Sequence, residues 1–482
     1  MKVDTVQSTE FSEGIERLDA SFYVNDGRAA KKRMKYCPYE VVTIKDVSKG
    51  VFNGPRFKRT FVSSQEHGIP LWGISDILKS SPDDGKLISK KYTRNLDDLL
   101  VKPDWTLIAC SGSGVIGAAV YSYENFVGKA LSQHVIRVVP NEDEIKPGML
   151  YAYLASKHGF NLISLGIYGT AIPEIEPTYV EGISIPRFPA AFQTKVHDLV
   201  SEAARLREEG NKLLNEAEGL FIEALEIDES ILKKLTSPTE KDTKMSFGAS
   251  STNISSLTLR ARNYSLRLQK IIEVLSKRHP DRLIDVLTTE PFYTGRFKRI
   301  SSTSTNAIEL LSQGAIFEMK PKGNLISKRA IPNLSNEIVK KGTILVAAQG
   351  SLGENEIFGR AKFVWGYLEN SLVAGHAMRF IPNSEVIDEG YLYAVLSSKL
   401  WFRIFRSVVY GTNLLGFIVP MLNEMPIPRL GDKLEQEIGQ KVKTAYEKLT
   451  QANEKETKAI TILENEISSW QPSKQPYTAM LR

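Results

Sequence analysis

Two short segments of this sequence each set three cations around one aromatic ring: Pro55-Arg56-Phe57-Lys58-Arg59 and Gly295-Arg296-Phe297-Lys298-Arg299. Lys and Arg neutralise phosphates, and an Arg can grip a guanine edge with two hydrogen bonds. A solvated charged loop has the same composition. Two such clusters at equivalent places favour the functional reading, with Arg56, Lys58, Arg59, Arg296, Lys298 and Arg299 as DNA contacts. The loops Ser111-Gly112-Ser113 and Gln349-Gly350-Ser351 follow apolar strands. Gly lets a backbone approach closely, and Ser111, Ser113, Gln349 and Ser351 can bond phosphates or base edges. A tight turn would look the same. His134 and His376 each precede a strand, and each is either a satisfied structural group or a phosphate or base contact. Tyr168-Gly169-Thr170 and Tyr410-Gly411-Thr412 open loops. Tyr168 and Tyr410 can stack or bond phosphate, Thr170 and Thr412 can bond phosphate or touch a thymine methyl, and a packed Tyr beside a turn is the alternative.

Two motifs suggest other chemistry. Gly112-Ser113-Gly114-Val115-Ile116-Gly117 fits the dinucleotide fingerprint after a strand, which would make the chain a nucleotide-dependent enzyme. That fingerprint needs a helix next, whereas residues 118–128 read as strand and turn, and the second copy breaks the pattern. Pro82-Asp83-Asp84-Gly85-Lys86 resembles a nuclease carboxylate–lysine set but occurs in one copy and reads as a turn. There is no P-loop, no metal-ligand cluster and no nucleophile elbow, so no catalytic and no metal residue is expected.

The elements that position these residues occur twice. Tyr168 returns as Tyr410, His134 as His376 and Ile185-Pro186-Arg187 as Ile427-Pro428-Arg429, 242 positions later (410 − 168). A period this long marks a duplicated domain, because solenoid units run only about 20–50 residues. Short apolar runs broken by Gly, Pro, Asn and Ser, with a helix over 150–160, predict an α+β globule. Between and after the globules, apolar residues recur at 3-4 spacing, first at Val196, Leu199, Ala203, Leu206, Gly210, Leu213, Ala217, Leu220, Ala224 and Ile227. The second series is Ile438, Val442, Ala445, Leu449, Ala452, Ala459 and Leu463. Such seams predict two helices packed on each other as an antiparallel coiled coil, small residues forming one column. The expected fold is α+β: two similar globules separated by two long antiparallel helices, pseudo-two-fold. Expected boundaries are an N-terminal helical segment over 1–40, globules over 41–189 and 281–430, and long helices over 190–235 and 431–470. A linker and helix fill 236–280, and a tail fills 471–482.

The 482 residues suit about three units, and 42% hydrophobic content supplies ordinary cores. Cys37 and Cys110 are the only cysteines, so no disulfide framework is expected and a cytoplasmic setting is the simplest. No apolar run reaches membrane-spanning length, and Met1 leads into polar residues. A net charge of +6 suits nucleic acid without proving it.

Taken together, the chain resembles the specificity subunit of type I restriction-modification systems. The resemblance covers nearly its whole length. It rests on the duplicated globule–helix order, on Gly68-Ile69-Pro70-Leu71-Trp72 followed by Asp76-Ile77, and on 104–117 with Ser-Gly-Ser. Ile185-Pro186-Arg187, Ile427-Pro428-Arg429 and the entry segment Arg17-Leu18-Asp19-Ala20-Ser21-Phe22-Tyr23 add to it. The second copy departs in having Ile308-Glu309-Leu310-Leu311 in place of Ile-Pro-Leu-Trp, and the 236–256 linker is long. The resemblance implies two target-recognition domains, each reading half of a split sequence in double-stranded DNA, and helices that set the spacer. It implies a non-catalytic subunit that docks two adenine-methyltransferase subunits and in some systems a restriction or translocase subunit. S-adenosylmethionine would sit on the methyltransferase, with no cofactor in this chain.

Overall fold

The computed structural model describes residues 25–81, 85–112, 114–169, 172–237 and 246–470. They form two compact units. Unit 1 takes in the described residues of Met1–Leu78, Pro82–Glu208 and Gln451–Arg482, and unit 2 takes in Lys79–Ser81 and Glu209–Thr450. The entry segment 17–23, Pro82–Asp84, Ser113, Thr170, residues 238–245 of the polar linker and the tail from 471 lie outside the described residues.

Unit 1 begins with α1 (Asp26–Met34), capped by the Asn25 side chain, which accepts the Gly27 N–H at 2.8 Å. The strands are β1 (Val41–Thr43), β2 (Ser48–Asn53), β3 (Phe61–Val62), β4 (Gly68–Trp72), β5 (Lys86–Ser89), β6 (Thr106–Ala109), β7 (Ala119–Tyr121), β8 (Ala130–Leu131) and β9 (Val135–Pro140). They build two four-stranded sheets, ordered β2-β9-β6-β7 and β3-β5-β4-β8. The first is antiparallel; β4 and β8 pair in parallel. Strand β6 is buried along its whole length, as a central strand covered on both faces should be. Where one helix is expected over 150–160 there are two, α2 (Pro147–Ala155) and α3 (Lys157–Ser164). Ser156 breaks them: it is extended, and its hydroxyl accepts the Gly159 N–H at 3.0 Å as an N-cap. Strand β10 (Ser184–Pro186) pairs with β1 and closes the globule before the long helix α4 (Ala190–Ala224).

His158 in α3 is buried against Tyr153, ring centroids 5.9 Å apart. Burial, with the Arg33 charge adding to it, pulls its imidazolium down to about 4. The unfolded chain takes up this proton below 6.5 and the folded chain does not until about 4. Stability is therefore full above 6.5 and falls as pH drops through that window, by up to roughly 3 kcal/mol. Unfolding curves at pH 7 and 5 should show that loss, and His158→Leu should flatten it.

In unit 2, helix α4 ends early. The expected helix over 190–235 stops at Ala224, Glu226 takes a left-handed φ of 49°, and Asp228 caps a separate α5 (Glu229–Thr236). In the stretch expected to hold a linker and helix, 236–280, the main helix is α6 (Leu266–Ser276), started by the Ser265 hydroxyl. The strands are β11 (Asp281–Arg282), β12 (Ala307–Leu311), β13 (Asn324–Ser327), β14 (Ile344–Ala347), β15 (Ala361–Phe363), β16 (Leu372–Val373) and β17 (Ala377–Phe380). They repeat unit 1 in shortened form as β15-β14-β17 and β13-β12-β16, with β12 and β16 parallel. Helices α7 (Glu389–Ser397) and α8 (Lys399–Ser407) again meet at a capping serine, Ser398, and precede the hairpin β18 (Val409–Tyr410) and β19 (Gly416–Phe417). Strand β20 (Pro426–Ile427) pairs with β11 as β10 does with β1, and α9 (Asp432–Ser469) follows.

The long helices pack antiparallel. In unit 2, Lys441 pairs with Glu216 at 2.8 Å and Lys448 with Glu209 at 2.6 Å, the numbers running in opposite senses. In unit 1, Ala203 and Leu206 pack on Ala452. The small column read from the sequence is buried at Ala203, Gly210, Ala217, Ala445, Ala452 and Ala459, whereas Ala224, the last residue of α4, is only part-buried and Ile227 lies beyond the helix. The second column of α4 differs from the expected Leu199, Leu206, Leu213 and Leu220. Val200, Arg207, Leu214 and Phe221 occupy it, with Val200, Arg207 and Phe221 buried and Leu206 buried beside them. A search for apolar spacing passes over Arg207, and likewise Glu456, which fills the gap between Ala452 and Ala459 and is 2% exposed.

Candidate nucleic-acid interface

In unit 1 the basic loop leaves the end of β2. Phe57 is half-buried against the cluster of Ile88, Leu99 and Ala130, so the ring pins the loop while Arg56, Lys58 and Arg59 stay exposed. In unit 2 Phe297 does the same against Leu310, Ile326 and Leu372, and Arg296, Lys298 and Arg299 are exposed. None of the six cations has an ion-pair partner among the described residues. An aromatic anchor with outward cations holds charge where a phosphate could meet it at little entropic cost.

Beneath the first loop lies Arg137 of β9, fully buried. Its guanidinium donates to the carbonyls of Val135 and Leu131, each at 2.9 Å, and more distantly to Leu99 and Ser132. Burial lowers it to about 10, so it stays charged at neutral pH. A Cβ on Gly54 would come within 2.8 Å of the guanidinium, so a side chain there would push against Arg137. Arg379 holds the equivalent place in β17, donating to the carbonyls of Asn336 at 2.8 Å and Glu337 at 2.5 Å. These arginines support loops and do not face solvent. Arg137→Met should leave several carbonyls unpaired and destabilise unit 1 by roughly 3 kcal/mol, measurable by denaturant unfolding, while Arg56→Met should leave stability unchanged.

A second group forms around the end of β6. The Ser111 hydroxyl hydrogen-bonds with His134 Nδ1 at 2.9 Å, and the Cys110 N–H donates to the His134 carbonyl at 3.0 Å. Ser111 is buried, so its hydroxyl braces the loop instead of reaching outward. The Ala348 N–H donates to the His376 carbonyl at 3.0 Å in unit 2, but the His376 side chain is exposed, as is Ser351. Gln349 is half-buried, and its carbonyl accepts from Gln313 at 2.7 Å. Serine has become glutamine and the histidine link is lost, so the two copies present different chemistry at this position.

The Tyr-Gly segments are hairpin tips. Tyr168 exchanges backbone hydrogen bonds with Glu174, at 3.0 and 2.9 Å, and Tyr410 pairs with Gly416. Gly169 and Gly411 have φ of 86° and 89°, and a Cβ there would strike the Ile172 carbonyl at 2.6 Å or the Leu414 carbonyl at 2.4 Å. The tyrosines are exposed. Tyr168 donates to Glu176, which raises its hydroxyl to about 12 and keeps it a neutral donor. Thr412 is exposed. The tips also carry Ile172, 68% exposed, and Leu414, 63% exposed. The sequence reading missed these residues. Their signal was available, since they too are 242 positions apart, but an isolated aliphatic residue does not announce itself as a contact.

The hairpin of unit 1 also bridges to Ser111 through Glu174, so Ser111, His134 and Tyr168 share one neighbourhood. A cavity of about 430 Å³ beside Pro55 is lined by Phe52, Asn53, Leu100 and Trp105 and carries Asp97 and Asp98 against the single cation Lys102, a balance that does not favour phosphate. The Gly112–Gly117 segment leads into β7, not a helix, so no helix N-terminus is available there for a pyrophosphate. Among the described residues no group of three or more His, Cys, Asp or Glu could hold a metal ion, and no helix is long and apolar enough to cross a membrane.

Residues 37–207 match the family model described as the type I restriction modification DNA specificity domain. A search of the curated proteins returned no match. Among solved structures, the chain is similar to the S subunit of a type I restriction-modification system from M. genitalium, at 14% identity and TM-score 0.35, covering 90% of this chain and 96% of that one. It is also similar to the HsdS subunit from Thermoanaerobacter tengcongensis, at 12% identity and TM-score 0.28, covering 90% and 97%. A third similar structure, described by complex assembly and conformational transition of the type I R-M system, has 13% identity and TM-score 0.27, covering 89% and 98%. Residues 37–207 are thus similar to the type I restriction modification DNA specificity domain.

Proposed function

We propose that this chain reads a split target in double-stranded DNA, one half with each unit, and positions two adenine-methyltransferase subunits on it. The carrying observation is the repeated basic loop, pinned by Phe57 in one unit and Phe297 in the other with its cations exposed. Arg56, Lys58, Arg59, Arg296, Lys298 and Arg299 supply phosphate or guanine contacts. Tyr168, Thr170, Tyr410 and Thr412, with Ser113, Gln349, Ser351 and His376, add contacts from the neighbouring loops. Ser111 and His134 act behind the surface. The different residues at the ends of β6 and β14 support an asymmetric target. The chain itself does no chemistry on DNA; the methyltransferase brings S-adenosylmethionine, and a restriction or translocase subunit joins in some assemblies. The setting is the cytoplasm.

Methylome sequencing of cells carrying the chain with its methyltransferase should reveal one methylated bipartite motif. An assembled complex that methylates no such motif would defeat the proposal. Specific DNA binding by the chain alone, with no copurifying subunit, would instead favour a stand-alone DNA-binding protein.

A further inference from the structure

The long helices share their small-residue column but not their polar seam residues. In unit 1, Arg207 and Glu456 form an ion pair with side chains only 7% and 3% exposed. Arg207 also donates to Asn453 at 3.0 Å, and the Tyr151 hydroxyl donates to Glu456. The repeat places Leu449 at the position equivalent to Arg207, and Leu214 at the position equivalent to Glu456. The ion pairs of unit 2 are lopsided in the same way. Opposite Lys441 stands Glu216, whose repeat equivalent in α9 is Lys458; opposite Lys448 stands Glu209, whose equivalent is Gln451.

A duplicated helix pair has an inherent ambiguity. Two copies of the chain could pair α4 with α4 and α9 with α9 through the same small column. We infer that the seam's polar residues forbid this, so that α4 accepts only an α9. Pairing α4 with α4 would set Arg207 of each copy against Leu214 of the other. Pairing α9 with α9 would set Glu456 against Leu449 and Lys441 against Lys458. Buried charges would lose their partners and like charges would meet, and leaving a buried charge unpaired is strongly unfavourable. A single polar seam position is known to fix partner and register in coiled coils at a cost in stability. Here the device selects between helices of near-identical shape, and it stands whether or not the DNA reading does.

The test co-expresses two differently tagged full-length copies and measures how much of one is captured with the other. Exchange that keeps α4 on α9 preserves the ion pair and is open to every version, so only capture above wild type reports like-with-like pairing. R207L/E456L, which gives unit 1 the leucines of unit 2, should raise cross-capture several-fold. R207E/E456R, which reverses the pair but keeps it complementary, should stay at the wild-type level. R207L or E456L alone should unfold at a lower denaturant midpoint than R207E/E456R. If R207L/E456L proves insoluble, the neutral R207Q/E456Q replaces it with the same expectation. Cross-capture no higher than wild type in the neutral double variant, or equally high in R207E/E456R, overturns the inference.

Discussion

On the proposed function, alanine at Arg56, Lys58 and Arg59 together should weaken DNA binding by a complex assembled with the methyltransferase roughly 10²–10³-fold near physiological salt. The cations are exposed and lack ion-pair partners among the described residues, so nothing in the protein offsets their loss. Each phosphate contact removed should lower the slope of log affinity against log salt by about one. An Arg that reads guanine should instead relax one position of the methylated motif, at about 1–3 kcal/mol. The same change at Arg296, Lys298 and Arg299 should affect the other half of the motif. Phe57 and Phe297 stay in place in both variants, so stability should not move. Binding titrations at several salt concentrations, with methylome sequencing, separate the two outcomes. Unchanged affinity and slope would reduce the clusters to solvated loops.

The second large effect concerns the helices. The residues of α4 belong to unit 1 up to Glu208 and to unit 2 from Glu209, and those of α9 to unit 2 up to Thr450 and to unit 1 from Gln451. Because they pair through ion pairs and a small-residue column, lengthening one alone would break the seam. Adding seven residues to both, at facing points, keeps the seam in register and adds about 10 Å at 1.5 Å per residue. If the helices set the spacer, both half-sites of the methylated motif should persist with the gap longer by about 3 base pairs. Methylome sequencing reads the result directly. Altered half-sites with an unchanged gap would show that the helices are not the ruler.

Much of this protein was legible in its sequence because duplication makes signals checkable against each other. The basic loops, the Tyr-Gly tips and the small seam column each recur at a near-constant offset, and local chemistry fixes each of them. Glycine is needed where φ is positive at 169 and 411, and alanine where helices approach. Tertiary structure decided what depends on burial. Arg137 looks like any cation in a strand, and only the fold shows it capping carbonyls beneath the loop. Ser111 looks like a surface hydroxyl, and only the approach of His134 engages it. Arg207 and Glu456 fall out of any hydrophobic pattern because their charges are tolerable in the seam only when paired, and that pairing joins residues 249 positions apart.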